Sequence, residues 1–370
     1  MTDGPADAMP HGKHPGLRVR DVVLFNAGPP AELLGAQVIT PTELFFTRSH
    51  GQVPTVDPAS WRLQVGGMVH HCLSLSLDEL RRNYIARTVE ATLVCAGLRR
   101  EELNSVRPVP GELPWALEPV STARFTGVPL RDVLLAAGLS DAAAHVAFVG
   151  LDAVTRRERS FGFGGSIPVS KALCSEVLLA FEMNGEPLPP VHGGPVRVVV
   201  PGYFGARSVK WLGEIEVRST PSDNYFQAEA YRVQREVRGG DSRDVSAGEA
   251  LAELPLNAVI LTPAARCTLP LGSVEVTGWA CGAEPHRPAR VEVSADDGVT
   301  WRDATIDATG GEWAWVLWRA TVVLAPGART LVARAWDRTG AGQPATLAEV
   351  WNVKGYANNA WHRVPVEVRG

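Results

Sequence analysis

Hydrophobic patterning divides the chain into two textures. In roughly the first 240 residues, apolar runs of strand length interleave with short helical patterns. "SLDEL" sets Ser76 three residues before Glu79, the spacing of a capping box, and opens a predicted helix through Tyr84. "GVPLRDVLLAAG" puts Pro129 at a helix start and Gly138 at its stop. "VLLAFEMNGEPLP" reads as a strand reaching an Asn184-Gly185 turn, and "PVRVVVPG" as another buried strand. The interleaving lacks the regular period of a βαβ array, so the predicted class is α+β.

The texture changes near "REVRGGDSRDVSAGEA", a charged, glycine-bearing stretch that reads as a linker. Short alternating segments follow: "SVEVTGWA", "ARVEVSADDGVTWRDA", "EWAWVLWRATVVL" and "RTLVARAWDRTG". Eight of the eleven tryptophans lie beyond residue 250, where they supply core for a predicted β-sandwich of immunoglobulin type. "SADDGVTW" fits a turn that recurs in sialidase propellers. It occurs once here, which predicts a single hairpin turn instead.

Composition narrows the function classes. The 370 residues are 45% hydrophobic and 21% charged with a net charge of −4, an ordinary balance that gives no basic face for nucleic acid. Cys72, Cys95, Cys174, Cys267 and Cys281 form no CxxC or CxxCH, so structural zinc and covalent haem lack support. Their odd number and wide spacing argue against a disulfide framework and for a reducing, cytoplasmic setting. No apolar run reaches membrane-spanning length. The opening "MTDGPADAMPHGKHPG" has no signal-peptide core and reads as a flexible leader; a periplasmic setting would require a removed signal.

Candidate chemistry starts at "TLVCAGLRREE", where a β-prone run ends on Cys95, turns, and meets Arg99 and Arg100. Neighbouring cations stabilise a thiolate, although most unpaired cysteines are small buried hydrophobes. "ELFFTRSHGQVP" carries Arg48 and His50, "FVGLDAV" ends a predicted strand at Asp152, and "VHGGPVRVVVPGYFGARSVKWL" strings His192, Arg197, Arg207 and Lys210 among glycines. "VWNVKGYANNAWHRVPV" adds Lys354 in a Gly/Asn-rich loop. Singly, the histidines could satisfy loop backbone, the arginine pair could be solvated, and Trp351 and Trp361 could be core. Together, glycine-exposed N–H groups and these cations suit an anion such as a phosphate. One soft thiolate cannot hold a metal alone; a cofactor bringing its own sulfur donors would complete the sphere.

These motifs resemble the sulfite oxidase family of molybdenum enzymes, from about Leu17 to Gly370. The family's "FFxRNHxxVP" appears as "FFTRSHGQVP", "CAGNRR" as "CAGLRR", and "WNxxGxxxNxWHRV" as "WNVKGYANNAWHRV". The block "LLAFEMNGEPLPPVHGGPVRVVVPGYFGARSVKWL" is similar throughout its length. The resemblance implies one molybdenum and one molybdopterin per chain, with Cys95 as the protein ligand to the metal. It implies cofactor contacts at Phe46, Thr47, Arg48, Ser49 and His50, at Asp152, His192 and Arg197, and at Ser208, Val209 and Lys210. Arg48, Arg100 and Lys354 fall where the family gathers positive charge around the substrate, with Trp115 on the wall and Tyr231 pointing inward.

The implied organisation is a leader over 1–16, a molybdopterin-binding catalytic domain over 17–240 and an immunoglobulin-like dimerisation domain over 246–370. The implied reaction is oxidation of sulfite to sulfate by oxo transfer in a homodimer. No haem domain precedes the molybdenum domain, so the resemblance implies an external electron acceptor, oxygen or a cytochrome. Three departures stand out: Leu98 and Ser49 each replace an asparagine, and Lys354 replaces the arginine of the animal enzymes' "WNLRG". A nitrate-reductase-like oxo transfer is the rival, but those enzymes resemble "WNLMG" and lack the cation at that position. A non-catalytic scaffold built on the sandwich is a third reading, and the intact Cys95 and anion contacts weigh against it.

Overall fold

A computed structural model of the chain describes residues 9–35, 37–234 and 248–369. In the first unit, a five-stranded mixed sheet runs Gly164–Pro168, His145–Gly150, Leu212–Arg218, Arg62–Gly67, Leu73–Ser76. Only Leu212–Arg218 and Arg62–Gly67 pair in parallel. A second, antiparallel sheet runs Glu186–Pro187, Leu178–Met183, Val120–Pro129, Arg87–Val94, and Arg197–Val199 also pairs with Leu178–Met183. Leu63, Phe148 and Ile215 of the first sheet share one core with Val128, Leu179 and Val198 of the second.

Local chemistry explains the elements that the patterning predicted. Helix Leu77–Asn83 starts where Ser76 Oγ accepts from the Glu79 N–H and the Glu79 carboxylate accepts from the Ser76 N–H at 2.8 Å. Helix Leu130–Ala137 buries Leu130, Val133, Leu134 and Ala137, the stripe that a 3.6-residue period lays on one face, and stops at Gly138 with φ of 69°. Asn184 and Gly185 both take positive φ, as a tight hairpin turn requires. Among the described residues the α-helices are short and strands dominate. None is long and apolar enough to cross a membrane.

The second unit consists of two packed sheets. One runs Asn257–Thr262, Gly272–Cys281, Val316–Leu324, Thr305–Thr309; the other runs Thr268–Pro270, His362–Arg369, Gly327–Asp337, Pro288–Ser294, Arg302–Asp303. Ala258, Ile260, Val276 and Trp318 face Val291, Leu331, Ala333 and Val366 across a single core. "SADDGVTW" is a hairpin turn: Glu292 pairs with Asp303, and the Asp296 carboxylate accepts from the Val299 and Thr300 N–H groups.

Within the leader expected over 1–16, the described residues from Met9 on are mostly exposed, but Lys13 is only 5% exposed. Its ammonium donates to the Thr42 and Phe45 carbonyls, a buried anchor at this one position. Residues 1–8, and most of the predicted linker at 235–247, lie outside the described residues.

A polar seam joins the units. Arg99 is fully buried and donates to the Glu102 carboxylate, to Asn257 Oδ1 and to the Ala360 carbonyl at 2.8 Å. The backbone at Arg99 is left-handed, with φ of 59°. Two adjacent arginines are thereby sent in different directions. Arg99 goes to the seam and Arg100 to the cleft.

Candidate active site

The strand Arg87–Val94 delivers Cys95 into a tight turn, closed by the Leu98 N–H on the Cys95 carbonyl at 3.0 Å. Cys95 is 7% exposed and lines a cleft. The same cleft is lined by Phe46, Thr47, Arg48, Ser49, His50, Asp152, His192, Arg197, Ser208, Lys210 and Tyr231. Eleven further candidates from distant parts of the chain thus meet the thiol in one space. Val209 does not: its side chain joins the core, and its carbonyl accepts from the Val198 N–H.

Lys210 Nζ donates to Ser49 Oγ at 2.7 Å and to the Val191 carbonyl. Ser49, in place of the usual asparagine, therefore still serves the cleft. Arg197 Nη1 and Nη2 donate to the His192 and Ser208 carbonyls, both at 2.9 Å. Burial lowers the Lys210 ammonium well below its usual range, with the Arg197 charge adding to the effect, and brings Arg197 down to about 9. Among the described residues, no carboxylate lies within ion-pair distance of Arg48, Arg197 or Lys210. Buried cations without counter-ions are costly, and a bound anion would remove that cost.

His50 sits between two partners: Nδ1 lies 3.3 Å from Arg48 Nη2, and Nε2 lies 2.7 Å from the Tyr231 hydroxyl. A guanidinium can only donate, so Nδ1 accepts and the Nε2–H donates to the tyrosine oxygen. The Tyr231 O–H is then left to donate elsewhere. Burial, followed by the Arg48 charge, holds His50 well below its usual value and keeps it neutral. His192 is neutral for the same principal reason, and its Nε2 accepts from Lys13 Nζ at 3.0 Å. Asp152 Oδ1 accepts from the Phe163 N–H at 2.9 Å, and burial raises its pKa.

Of the predicted substrate cations, Arg48 lines the cleft, whereas Arg100 and Lys354 do not and occupy an adjoining cluster. Arg100 Nε donates to the Lys354 carbonyl at 2.9 Å and Nη1 to the Leu113 carbonyl at 2.8 Å, while the guanidinium lies over Tyr356. Tyr356 stacks on Tyr231 with centroids 5.4 Å apart, so the loop of the second unit reaches the cleft residues. Trp115 is fully buried in the cluster that holds Cys95, and its indole N–H has no partner. Lys354 Nζ pairs with Glu112 at 2.9 Å.

Sequence reasoning missed Lys13, Glu112 and Tyr356. Lys13 had only its charge in an otherwise flexible-looking stretch to signal it. Glu112 and Tyr356 are brought in by contacts across the two units. Leu98, the departure beside the thiol, packs among Val94, Phe204 and Cys281 and does not line the cleft.

The residues fit a molybdopterin. Arg197 and Lys210, which line the cleft without a carboxylate of the described residues in ion-pair distance, suit an anionic cofactor. Among the described residues no three His, Cys, Asp or Glu side chains converge as a metal site, so Cys95 needs donors brought by a cofactor.

Comparisons with known proteins agree. Residues 50–226 match the oxidoreductase molybdopterin binding domain and residues 248–369 the Mo-co oxidoreductase dimerisation domain. The chain is 44% identical over 361 residues to sulfite oxidase of Gallus gallus, covering 95% of this chain and 78% of that protein. It is 35% identical over 382 residues to the inducible NADH nitrate reductase 2 of Glycine max, covering 96% of this chain but 42% of that one. In structure it is similar to the sulfane dehydrogenase SoxCD of Paracoccus pantotrophus, with a TM-score of 0.79, 25% identity, and coverage of 94% of this chain and 85% of that one. The cofactor is therefore molybdenum-bearing molybdopterin, and the chain belongs to the sulfite oxidase family of molybdenum oxidoreductases.

Proposed function

We propose that the protein oxidises sulfite to sulfate and passes the electrons to an external acceptor, oxygen or a cytochrome. The observation that carries this reading is the stacking of Tyr356 on Tyr231, which brings Arg100, joined to Lys354 through Glu112, beside the Cys95 cleft that Arg48 lines. When bound, the molybdenum cofactor supplies oxygen-atom transfer and accepts the two electrons. The protein supplies orientation and charge. Arg48 and Arg100 bring guanidinium charge to the oxyanion, Arg100 through its Nη2 arm, and Lys354 adds a compact charge on a flexible stem. Tyr231, its oxygen already occupied by His50, has its O–H free to donate to an anion oxygen. Trp115 does not line the cleft; it is fully buried in the apolar cluster that also holds Cys95 and supports the thiol's surroundings.

The cleft's own cations serve the cofactor. Lys210 and Arg197 are held by carbonyls and Ser49, in place before any anion arrives. Cys95 provides the one protein thiolate. Lys354 favours sulfite over nitrate as substrate, since the nitrate enzymes resemble a methionine there. We further propose that domain boundaries fall near 240 and 246, that the second domain is immunoglobulin-like, and that it forms a homodimer. Steady-state turnover of sulfite and nitrate against several electron carriers tests the function. Preferential nitrate reduction would replace this reading.

A further inference from the structure

Acidic partners are distributed unevenly over the cations of the two neighbouring clusters. Among the described residues, the cofactor cations Arg197 and Lys210 have no carboxylate within ion-pair distance, nor does Arg48. Arg100 and Lys354 share one. Glu112 Oε1 lies 2.9 Å from Lys354 Nζ, and Oε2 lies 3.7 Å from Arg100 Nη2. The two carboxylate oxygens bridge the same two cations that a substrate oxyanion would bridge. Arg100 has already committed Nε and Nη1 to the Lys354 and Leu113 carbonyls, so Nη2 is the arm still free for an anion. Glu112 faces that arm.

The carrier segment suits such a role. Glu112 follows Gly111, whose φ of 78° needs a glycine or a strained residue and around which there is open space. It stands outside any helix or strand, between Pro110 and Pro114. Its side chain is 16% exposed and covers Arg100, which is 4% exposed. Its charge also reaches both stacked tyrosines, Tyr231 and Tyr356.

We propose that Glu112 is a specificity-determining residue: a built-in carboxylate that competes with the substrate oxyanion for Arg100 and Lys354. This rests on the sulfite reading above. An arriving anion must displace Glu112 from Arg100 Nη2 and Lys354 Nζ or bind against its charge. Either way, affinity for sulfite and for product sulfate is lower than three cations alone would give, and sulfate leaves more readily. Arg48, with no acidic partner, supplies the first attraction.

The test uses holoenzyme and sulfate, which binds without being oxidised. Calorimetric titration at low salt compares wild type with Glu112→Gln and Glu112→Asp. Removing a like charge a few ångströms from the bound anion tightens sulfate by about tenfold in Glu112→Gln. Glu112→Asp, which keeps the charge, stays near wild type. The Michaelis constant for sulfite follows the sulfate affinity, while kcat changes less or falls as product release slows. Unchanged or weaker sulfate binding by Glu112→Gln, with sulfite turnover intact in wild type, overturns the proposal, and Glu112 is then a clamp that holds Lys354. If wild type neither binds sulfate nor oxidises sulfite, the parent reading falls and takes this one with it.

Discussion

His362 makes the seam between the two units sensitive to acid. It lies in strand His362–Arg369, its side chain 8% exposed. Its Nδ1 accepts from the Ile260 N–H at 3.0 Å, and its Nε2 faces Glu102 Oε1 at 3.7 Å. An imidazolium cannot accept at Nδ1, so protonation breaks the Ile260 bond. Burial first, and then the Arg99 charge, lowers His362 to about 4 from 6.5, against the pull of Glu102. Between those values the unfolded chain binds a proton that the folded chain does not, so stability falls as pH drops from about 6.5 to about 4. At pH 5 the linked loss is about 2 kcal/mol. Glu102, lowered chiefly by Arg99 against its burial, adds loss at still lower pH. The perturbation is His362→Asn, whose amide oxygen can still accept from Ile260 but does not titrate. Melting curves at pH 7 and 5 isolate the effect, because buried neutral His50 and His192 contribute equally to both proteins. With an unfolding entropy of about 2 cal/mol/K per residue over 370 residues, wild type should lose about 2–3 °C more than the variant. Equal losses would refute the assignment of a neutral His362 to the seam.

The other predictions concern the cleft and the assembly. Cys95→Ser should lose activity and bound molybdenum, measured by elemental analysis, because a hydroxyl poorly replaces a soft thiolate; full turnover with unchanged metal spectra would remove Cys95 from the ligand role. Lys354→Met should raise the Michaelis constant for sulfite by about ten- to a hundredfold, the worth of one charge-assisted hydrogen bond, and Lys354→Arg should lower it. An unchanged specificity constant at equal molybdenum content in Lys354→Met would place Lys354 outside the anion pocket. The protein should be a homodimer through residues after about 246, and light scattering that finds a monomer at micromolar concentration would contradict this.

What was legible in the sequence depended on how local the physics was. The helix at Leu77–Asn83 and the turn at Asn184-Gly185 are set by residues within four positions of one another, and both were readable. The single "SADDGVTW" turn was readable for the same reason, since Asp296 closes it through its own neighbours. Cys95, His192 and Lys210 were readable because their side-chain types are unusual at the ends of apolar runs and matched long motifs. Lys13 was not. Its value comes from the Phe45 carbonyl and from His192, 179 positions away, and its own neighbourhood is a proline–glycine stretch without period.

The adjacent pair Arg99 and Arg100 shows why matching motifs cannot by itself assign roles. Both are arginines, both follow the thiol, and both read as an anion site. The left-handed backbone at Arg99 separates them. Arg99 is turned onto Glu102, Asn257 and Ala360, where its charge is matched and its donors are occupied. Arg100 keeps one arm toward Glu112 and its face on Tyr356. Truncating Arg99 would leave Glu102 short of its main partner at a buried seam, a loss of stability. Truncating Arg100 would remove charge from the oxyanion cluster, a loss of affinity. On the proposed function, the same side chain thus serves folding at one position and binding at the next, and the left-handed backbone at Arg99 sets the two apart.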